Sequence, residues 1–206
     1  MAYLRKKPAA IGVKAPFPGF IEPALAKSID DVPSGNRWIH EIKFDGYRVQ
    51  LHIANEAVRV FTRRGNDWTK RFKRIADAAF LISASSAIID GEVVVPAADG
   101  TTDFSVLQNQ LKGKSDKIVM VAFDLLYLNG YDLRKLPLIE RKALLKKLIA
   151  KTAIQFARAS RSMATRCSGM PAASASRASS PRYVTAGIHP AGETTGSRRP
   201  APSARR

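Results

Sequence analysis

The sequence predicts a domain of the α+β class, and three observations support this prediction. Several short segments are rich in Val, Ile and aromatic residues and end at polar or Gly-containing turns, as strands do. Segments with helical spacing of apolar residues interleave with them. Both patterns stop after Phe156. We therefore expect a partial domain over residues 16–156, preceded by a flexible segment at 1–15 and followed by a disordered tail at 157–206.

Four segments are predicted as strands from their content of β-branched and aromatic residues. They cover residues 38–50, 57–62, 87–95 and 118–128. Polar residues around Asn55 and Glu56 join the first two, and the turn signal Asn129-Gly130 ends the fourth.

Three segments are predicted as helices, and they cover residues 68–83, 103–111 and 137–151. Asp103 is placed to cap the second helix, and Pro137 occupies the first turn of the third. The third helix is the clearest because its apolar residues fall near one face. These residues are Ile139, Leu144, Leu145, Leu148 and Ile149.

The length, the hydropathy pattern and the cysteine count limit the class of protein. A chain of 206 residues can hold one ordinary domain with its own core. No apolar run is long enough to span a bilayer, and residues 1–16 lack the apolar segment of a secretory signal. The one cysteine, Cys167, excludes an internal disulfide framework and a cysteine-rich zinc site. We expect a cytoplasmic protein with no membrane partner.

The net charge of +17 indicates a polyanionic partner such as nucleic acid. Residues 157–206 contain nine Arg, no Lys and one Glu, so this segment alone carries +8. It also contains twenty Ala or Ser and no Leu. One interpretation is a disordered Arg- and Ser-rich segment that binds nucleic acid.

The most informative motif spans residues 41–48, Glu-Ile-Lys-Phe-Asp-Gly-Tyr-Arg. Its core is Lys-x-Asp-Gly-x-Arg, from Lys43 to Arg48. A lysine becomes a nucleophile when burial or nearby cations depress its pKa. Arg48 and Arg63 are candidates to supply that positive field, and their guanidinium forks suit the phosphates of a nucleotide.

Three further motifs follow along the chain. Thr62-Arg63-Arg64-Gly65 ends the second strand. Asp90-Gly91-Glu92 lies within the third, where the two carboxylates share one face and suit a ribose hydroxyl or a metal. Phe123, in Phe-Asp-Leu-Leu on the fourth strand, can stack on adenine.

Each motif also has an ordinary structural interpretation. Lys43 is then a solvated lysine beside an Asp-Gly turn, and Arg63 is a solvated arginine at a hairpin end. Asp90 and Glu92 lie in water at a bend, and Phe123 belongs to the core. This interpretation is the better one for any single motif, whereas the four together, in this order and at these spacings, favour a nucleotide site.

Together the motifs resemble those of the covalent nucleotidyltransferases, which include ATP-dependent DNA ligases, RNA ligases and mRNA capping enzymes. Trp38 to Arg48 and the segment Pro137-Leu138-Ile139-Glu140-Arg141 resemble the ligase domain of the bacterial DNA ligase D type, used in end-joining repair. The resemblance covers about residues 16–156. It implies an α+β nucleotidyltransferase (adenylation) domain with antiparallel sheets.

The resemblance also implies roles for the site residues. Lys43 would be the nucleophile that accepts AMP, with Asp45 and Gly46 as supporting members of its motif. The implied ATP-binding residues are Glu41, Ile42, Arg48, Arg63, Glu92 and Phe123, and Glu92 is also a candidate metal ligand. ATP and Mg²⁺ are the implied cofactors. DNA ends or nicks and end-joining repair proteins are the implied partners of a monomeric, nucleoid-associated enzyme.

Two strands expected from the resemblance are absent from this reading frame, a Glu-Gly-x-Val-x-Lys strand and a later Lys-x-Lys-like strand, as is the OB-fold domain that follows them. An alternative reading frame joins the last base of each codon to the first two bases of the next. In this frame codons 176–182 allow Glu-Gly-Ile-Val-Ser-Lys, and codons 194–200 allow Asn-Trp-Val-Lys-Lys-Thr. We hypothesise that one base was lost just after the Phe156 codon and that residues 157–206 are out of frame.

This hypothesis carries an expectation about activity. Without its missing strands the central sheet has unpaired edges, so we expect a marginally stable, aggregation-prone protein that seals no nicks. One alternative is an RNA ligase or capping-type enzyme, which the choice between ATP and GTP would distinguish. The other is a non-catalytic nucleic-acid-binding protein, whose affinity and salt dependence would come from the basic tail.

Overall fold

The structure is a computed structural model, and it describes residues 11–25, 38–113, 116–160 and 183–187. The strands are β1 Val13–Lys14, β2 Trp38–Ile42, β3 Tyr47–Ala54, β4 Ala57–Thr62, β5 Ser86–Val94, β6 Val119–Leu128, β7 Tyr131–Asp132, β8 Gln155–Phe156, β9 Ala159–Ser160 and β10 Tyr183–Gly187. The helices are α1 Lys73–Ala79, α2 Phe104–Gln110 and α3 Leu138–Leu148.

The larger sheet contains seven of the described strands, in the order β1-β7-β6-β5-β3-β4, with β8 beside β6. Neighbouring strands are antiparallel, except that β8 runs parallel to β6. This arrangement confirms the predicted α+β class with antiparallel pairing. It also confirms the strands that the sequence predicted at 57–62, 87–95 and 118–128, with ends that shift by at most one residue.

The predicted continuous strand over residues 38–50 is wrong, because the chain divides it between two sheets. β2 lies in a smaller sheet between β9 and β10, whereas β3 lies in the larger one. The chain crosses between them at Gly46, where a Cβ atom would lie 2.1 Å from the Val93 carbonyl oxygen. Only glycine permits this close approach to β5, and the loop from Lys43 to Gly46 therefore lies where the sheets meet.

The helices cover one face of the larger sheet, with α3 packed on β6 and α1 on β4. Leu51, Ile89 and Leu125 are fully buried beneath them. The second predicted helix and its cap are confirmed, since the Asp103 carboxylate accepts a hydrogen bond from the Ser105 N–H at 2.7 Å. The first helix is shorter than predicted and begins only at Lys73. No helix within the described residues is long and apolar enough to cross a membrane.

Residues 15–25 form a strap across the opposite face of the larger sheet. The Tyr127 hydroxyl donates to the Ala15 carbonyl oxygen at 2.9 Å, and the Ile21 N–H donates to Gln50 Oε1 at 3.2 Å. Ile21 packs against the buried residues of this face together with Phe17. The strap is preceded by β1, so the described structure begins within the segment predicted to be flexible.

The ordered chain also continues past the boundary predicted at Phe156. Ala157 is buried, and its N–H donates to the Ala122 carbonyl oxygen at 2.8 Å. β9 and β10 follow within the predicted disordered tail, and both pair with β2. Backbone pairing needs no particular side chain, which is why composition alone did not predict these strands. The rest of the expected tail lies outside the described residues.

Candidate active site

A cavity of about 890 Å³ opens where the two sheets meet, a volume typical of sites for small molecules. It is lined by every residue that the sequence proposed for the site. These residues are Glu41, Ile42, Lys43, Asp45, Gly46, Arg48, Arg63, Glu92 and Phe123. Four motifs separated by up to 82 positions in the sequence therefore meet in one place.

Lys43 begins the loop that joins the two sheets. The loop is anchored by the Asp45 N–H, which donates to Thr102 Oγ1 at 2.8 Å. Lys43 is exposed on the open cavity rather than buried. An electrostatic field that activates this amine must therefore come from groups that face the cavity.

Arg48 is held by the protein on three sides. Its Nη2 and Nε donate to the Asp90 carboxylate at 2.8 and 3.2 Å, and its Nη1 donates to the Ala24 carbonyl oxygen at 2.6 Å. Its guanidinium carbon lies 5.5 Å from the centre of the Phe123 ring. In the structure this fork joins β3 to β5 and to the segment that contains Ala24, while Arg48 also lines the cavity.

The two carboxylates of the Asp-Gly-Glu motif differ in their surroundings. Asp90 is 3% exposed, and burial raises its pKa even though Arg48 is bonded to it. Glu92 lines the cavity opposite Arg48 in the β3–β5 register. Burial raises its pKa to about 7, against the opposing effect of the charges on Arg48 and Lys43. Glu92 is therefore partly protonated at neutral pH.

We expect Glu92→Gln to stabilise the ligand-free protein at alkaline pH. Because the Glu92 pKa rises from 4.5 to about 7 on folding, the folded state binds the proton more tightly, and stability falls as the pH rises through this window. The full shift corresponds to roughly 3 kcal/mol at most. Urea unfolding at pH 5 and pH 8 should show a smaller pH-dependent loss in the variant than in the wild type.

The matched control is Glu22→Gln, which removes an exposed carboxylate from the strap. It should leave the pH dependence of unfolding as it is in the wild type. An unchanged pH dependence in Glu92→Gln would contradict the assignment of this proton to Glu92.

α3 supplies site contacts that the sequence reasoning missed. Arg141 Nε and Nη2 donate to the Asp124 carboxylate at 2.8 and 2.9 Å, directly beside Phe123. The next residue, Lys142, is buried and pairs through its ammonium group with the Glu41 carboxylate. The spacing of Lys142, Leu145 and Ile149, at i, i+3 and i+7, could have placed this lysine on the buried side of the helix.

Aromatic residues form a second wall of the cavity that the sequence reasoning also missed. The Tyr47 ring lies 4.9 Å from the Phe104 ring and 5.2 Å from the Trp68 ring, centre to centre. All three residues line the cavity. They come from β3, the start of α2 and the turn before α1, so only the folded chain brings them together.

The sequence matches a known protein family over the part of the chain that forms the cavity. Residues 23–167 match the family described as the ATP dependent DNA ligase domain. This match covers more than half of the chain, and the chain therefore belongs to the ATP-dependent DNA ligase family. The matched residues include the whole of the cavity lining and extend eleven positions beyond Phe156.

Two bacterial proteins are similar to this chain in sequence. The multifunctional non-homologous end joining protein LigD of Pseudomonas aeruginosa is 40% identical over 139 residues, which cover 67% of this chain and 16% of that protein. The SPbeta prophage-derived DNA ligase-like protein LigB of Bacillus subtilis is 33% identical over 131 residues, which cover 63% of this chain and 47% of that protein. The chain thus spans less than half the length of either relative.

A solved structure shows the same fold. The ligase domain of LigD from Mycobacterium tuberculosis superimposes with a TM-score of 0.52 at 31% identity, covering 59% of this chain and 40% of that domain. A mycobacterial DNA ligase D complexed with ATP and MES superimposes with a TM-score of 0.52 at 29% identity, covering 62% of this chain and 44% of that structure. These comparisons confirm the nucleotidyltransferase fold.

The cavity fits a magnesium ion that arrives with a nucleotide better than one held by the protein alone. No group of three or more His, Cys, Asp or Glu side chains among the described residues is placed to hold a metal. Glu92 supplies one carboxylate on the cavity. Mg²⁺ is commonly held by one or two carboxylates together with substrate phosphates and water, and this donor set satisfies that requirement.

Proposed function

We propose that this chain forms a covalent lysyl-AMP at Lys43, as the first step of an ATP-dependent DNA ligase reaction. The observation that carries the proposal is the meeting of Lys43, Arg63, Glu92 and Phe123 in one cavity. These groups can serve the phosphate, the ribose and the base of a single ATP molecule. The sequence similarity of the chain to DNA ligases supports the same reaction.

The proposed chemistry follows from the side chains at the cavity. The Lys43 Nζ lone pair attacks the α-phosphorus and forms a P–N bond, while the bond to the bridging oxygen breaks and pyrophosphate leaves. The proton that the nitrogen loses passes to the departing pyrophosphate or to solvent. Arg63 would offset charge on the phosphates, Glu92 would bind the ribose, and Phe123 would stack on adenine, with Glu41 and Ile42 at its edge. Mg²⁺ held by the phosphates and Glu92 would supply further positive charge there. AMP then passes to the 5′-phosphate of a DNA break, and the 3′-hydroxyl displaces it to seal the strand.

Covalent labelling tests the first step directly. The chain is incubated with Mg²⁺ and ATP carrying a label at either the α- or the γ-phosphate. We expect α-label to remain on the denatured protein in an acid-labile bond, and γ-label to be released. Labelling by GTP in preference to ATP would instead support a capping-type enzyme, and absence of labelling by either nucleotide would contradict the proposal.

The proposed substrates are DNA nicks or ends, and the proposed setting is end-joining repair at the bacterial nucleoid. The relative from Pseudomonas aeruginosa is named for non-homologous end joining, which supports this setting. We further propose that the chain acts as a monomer and that repair proteins of the same process are its partners.

We also propose that residues 157–206 are translated out of frame. The composition of this segment supports the proposal, as do the two family strands recovered in order from one alternative frame. Resequencing the gene across codons 155–160 and through the codons that follow is expected to reveal one extra base just after the Phe156 codon. This window includes the end of the family match at residue 167.

The frame proposal predicts a large difference in nick sealing. The chain as given is expected to seal no nicked DNA duplex above background, because strands that complete the sheet are missing from its residues. The product of the corrected gene is expected to seal the same duplex with ATP and Mg²⁺. Sealing by the chain as given, with its sequence verified, would contradict the proposal.

A basic tail that binds nucleic acid is the second candidate function, and the +8 charge of residues 157–206 favours it. Deleting this segment distinguishes the two. A true binding segment would account for most of the affinity for DNA and most of its salt dependence. DNA affinity is the measured quantity, because the deletion also removes Ala157 from the cavity wall and the two strands that pair with β2.

A further inference from the structure

Lys142 has no part in the reaction proposed above, yet its ammonium group is buried directly behind the nucleotide cavity. We propose that Lys142 is a positioning residue that sets the base preference of the site, by holding the Glu41 carboxylate ionised and fixed beside Phe123. This inference rests on the proposed function, because it concerns the same cavity.

Three contacts hold the Lys142 ammonium. It forms an ion pair with the Glu41 carboxylate, donates to the Phe123 carbonyl oxygen at 2.7 Å, and lies 5.5 Å from the centre of the Phe156 ring. Lys142 is 3% exposed. A buried ammonium is costly unless it is paired and hydrogen-bonded, and these contacts meet that requirement.

The three contacts join separate parts of the cavity wall at one atom. Glu41 comes from β2 in the smaller sheet, whereas Phe123 comes from β6 in the larger sheet. Both residues line the cavity, and Lys142 does not. The lysine therefore fixes the relative position of two residues proposed to contact the base, without contacting the base itself.

The chemistry of Glu41 explains why this arrangement selects a base. An ionised carboxylate only accepts hydrogen bonds, so it favours a base edge that donates, such as the 6-amino group of adenine. A 6-oxo purine presents an acceptor at the same position and is disfavoured. Burial favours the neutral carboxyl group unless a cation stays beside it, and a neutral carboxyl group can also donate to the 6-oxo group.

The test compares ATP with inosine triphosphate, which has the same sugar and phosphates but a 6-oxo base. Dissociation constants for the full chain are measured by equilibrium dialysis with each labelled nucleotide. We expect the wild type to prefer ATP by about tenfold or more, the size of one charge-assisted hydrogen bond. Lys142→Met should reduce this preference to less than about threefold, mainly through weaker ATP binding.

Two further variants separate positioning from a general effect. Lys142→Arg keeps the cation and should keep a clear preference for ATP. Lys146→Met removes an exposed lysine from the same helix and should behave as the wild type. If Lys142→Met shows no cooperative unfolding transition, Glu41→Gln takes its place, since it removes the charge from the other partner and should also abolish the preference.

Several results would overturn the inference. One is a folded Lys142→Met that keeps the wild-type ratio of the two dissociation constants, and the same result in Glu41→Gln counts equally. Another is an equal weakening of both nucleotides, which would show a structural role only. A wild type that binds both nucleotides without preference overturns this inference alone, whereas a wild type that binds neither overturns the proposed function as well.

Discussion

Replacing Lys43 with arginine is expected to abolish covalent labelling by ATP, reducing it by at least about a thousandfold. Arginine keeps the positive charge on the cavity, but its guanidinium group is not deprotonated in proteins and cannot serve as the nucleophile. ATP binding should therefore stay within about threefold of the wild type while the label disappears. The measurement is the α-label retained on denatured protein, alongside equilibrium dialysis with ATP.

The stability of this variant provides an internal control. Lys43 is exposed, so its replacement should change the free energy of unfolding by less than about 0.5 kcal/mol. Lys70→Arg, at another exposed lysine that does not line the cavity, should label as the wild type does. Label that persists in Lys43→Arg, or that maps by peptide mass to a different lysine, would show that Lys43 is not the acceptor.

Arg48→Met is expected to cost about 3–5 kcal/mol of stability at pH 8, because it removes the cation from the buried Asp90 carboxylate. The variant leaves the Asp90 carboxylate buried without its cation and also removes the bond to the Ala24 carbonyl oxygen. Since burial already raises the Asp90 pKa, protonation will limit the cost as the pH falls. Urea unfolding at pH 8 and pH 5.5 measures both effects.

Two further variants test whether the cost comes from the buried charge of Asp90. Arg134→Met breaks the exposed ion pair between Arg134 and Asp132 and should cost no more than about 1 kcal/mol. The double variant Arg48→Met with Asp90→Asn removes the buried charge and should recover part of the stability lost in Arg48→Met alone. An equal loss of stability in Arg48→Met and Arg134→Met would mean that burial of the Asp90 carboxylate does not increase the cost.

Several local features of the fold could be predicted from the sequence because each depends on neighbouring residues. Asp103 caps α2 through a residue two positions away, and the hairpin strand β4 begins and ends at the predicted residues. Lys43, Glu92 and Phe123 each carry a chemical role that their own motif suggests. The structure places all three on one cavity, and the roles assigned to them stay predictions.

The parts that the sequence did not predict depend on contacts between distant residues. β2 and β3 were predicted as one strand because both are rich in β-branched and aromatic residues. The close approach of Gly46 to Val93 at the point where they separate is a tertiary contact. The helical spacing of Lys142 indicates the buried side of α3, but its ion pair with Glu41 depends on the distant strand β2. The binding of the Arg48 fork to Asp90 likewise follows only from the β3–β5 register.

The strap at residues 15–25 has a consequence for the order in which the site is completed during folding. Its contacts reach across the sequence, from Ala15 to Tyr127 and from Ala24 to Arg48. Such distant pairs close late, because the intervening chain must first lose its freedom. The strap is synthesised before the strands that it covers. It can therefore pack against the larger sheet only after β6 has been synthesised and paired. The cavity wall that includes Ala24 and Leu25 is therefore among the last parts of the site to form.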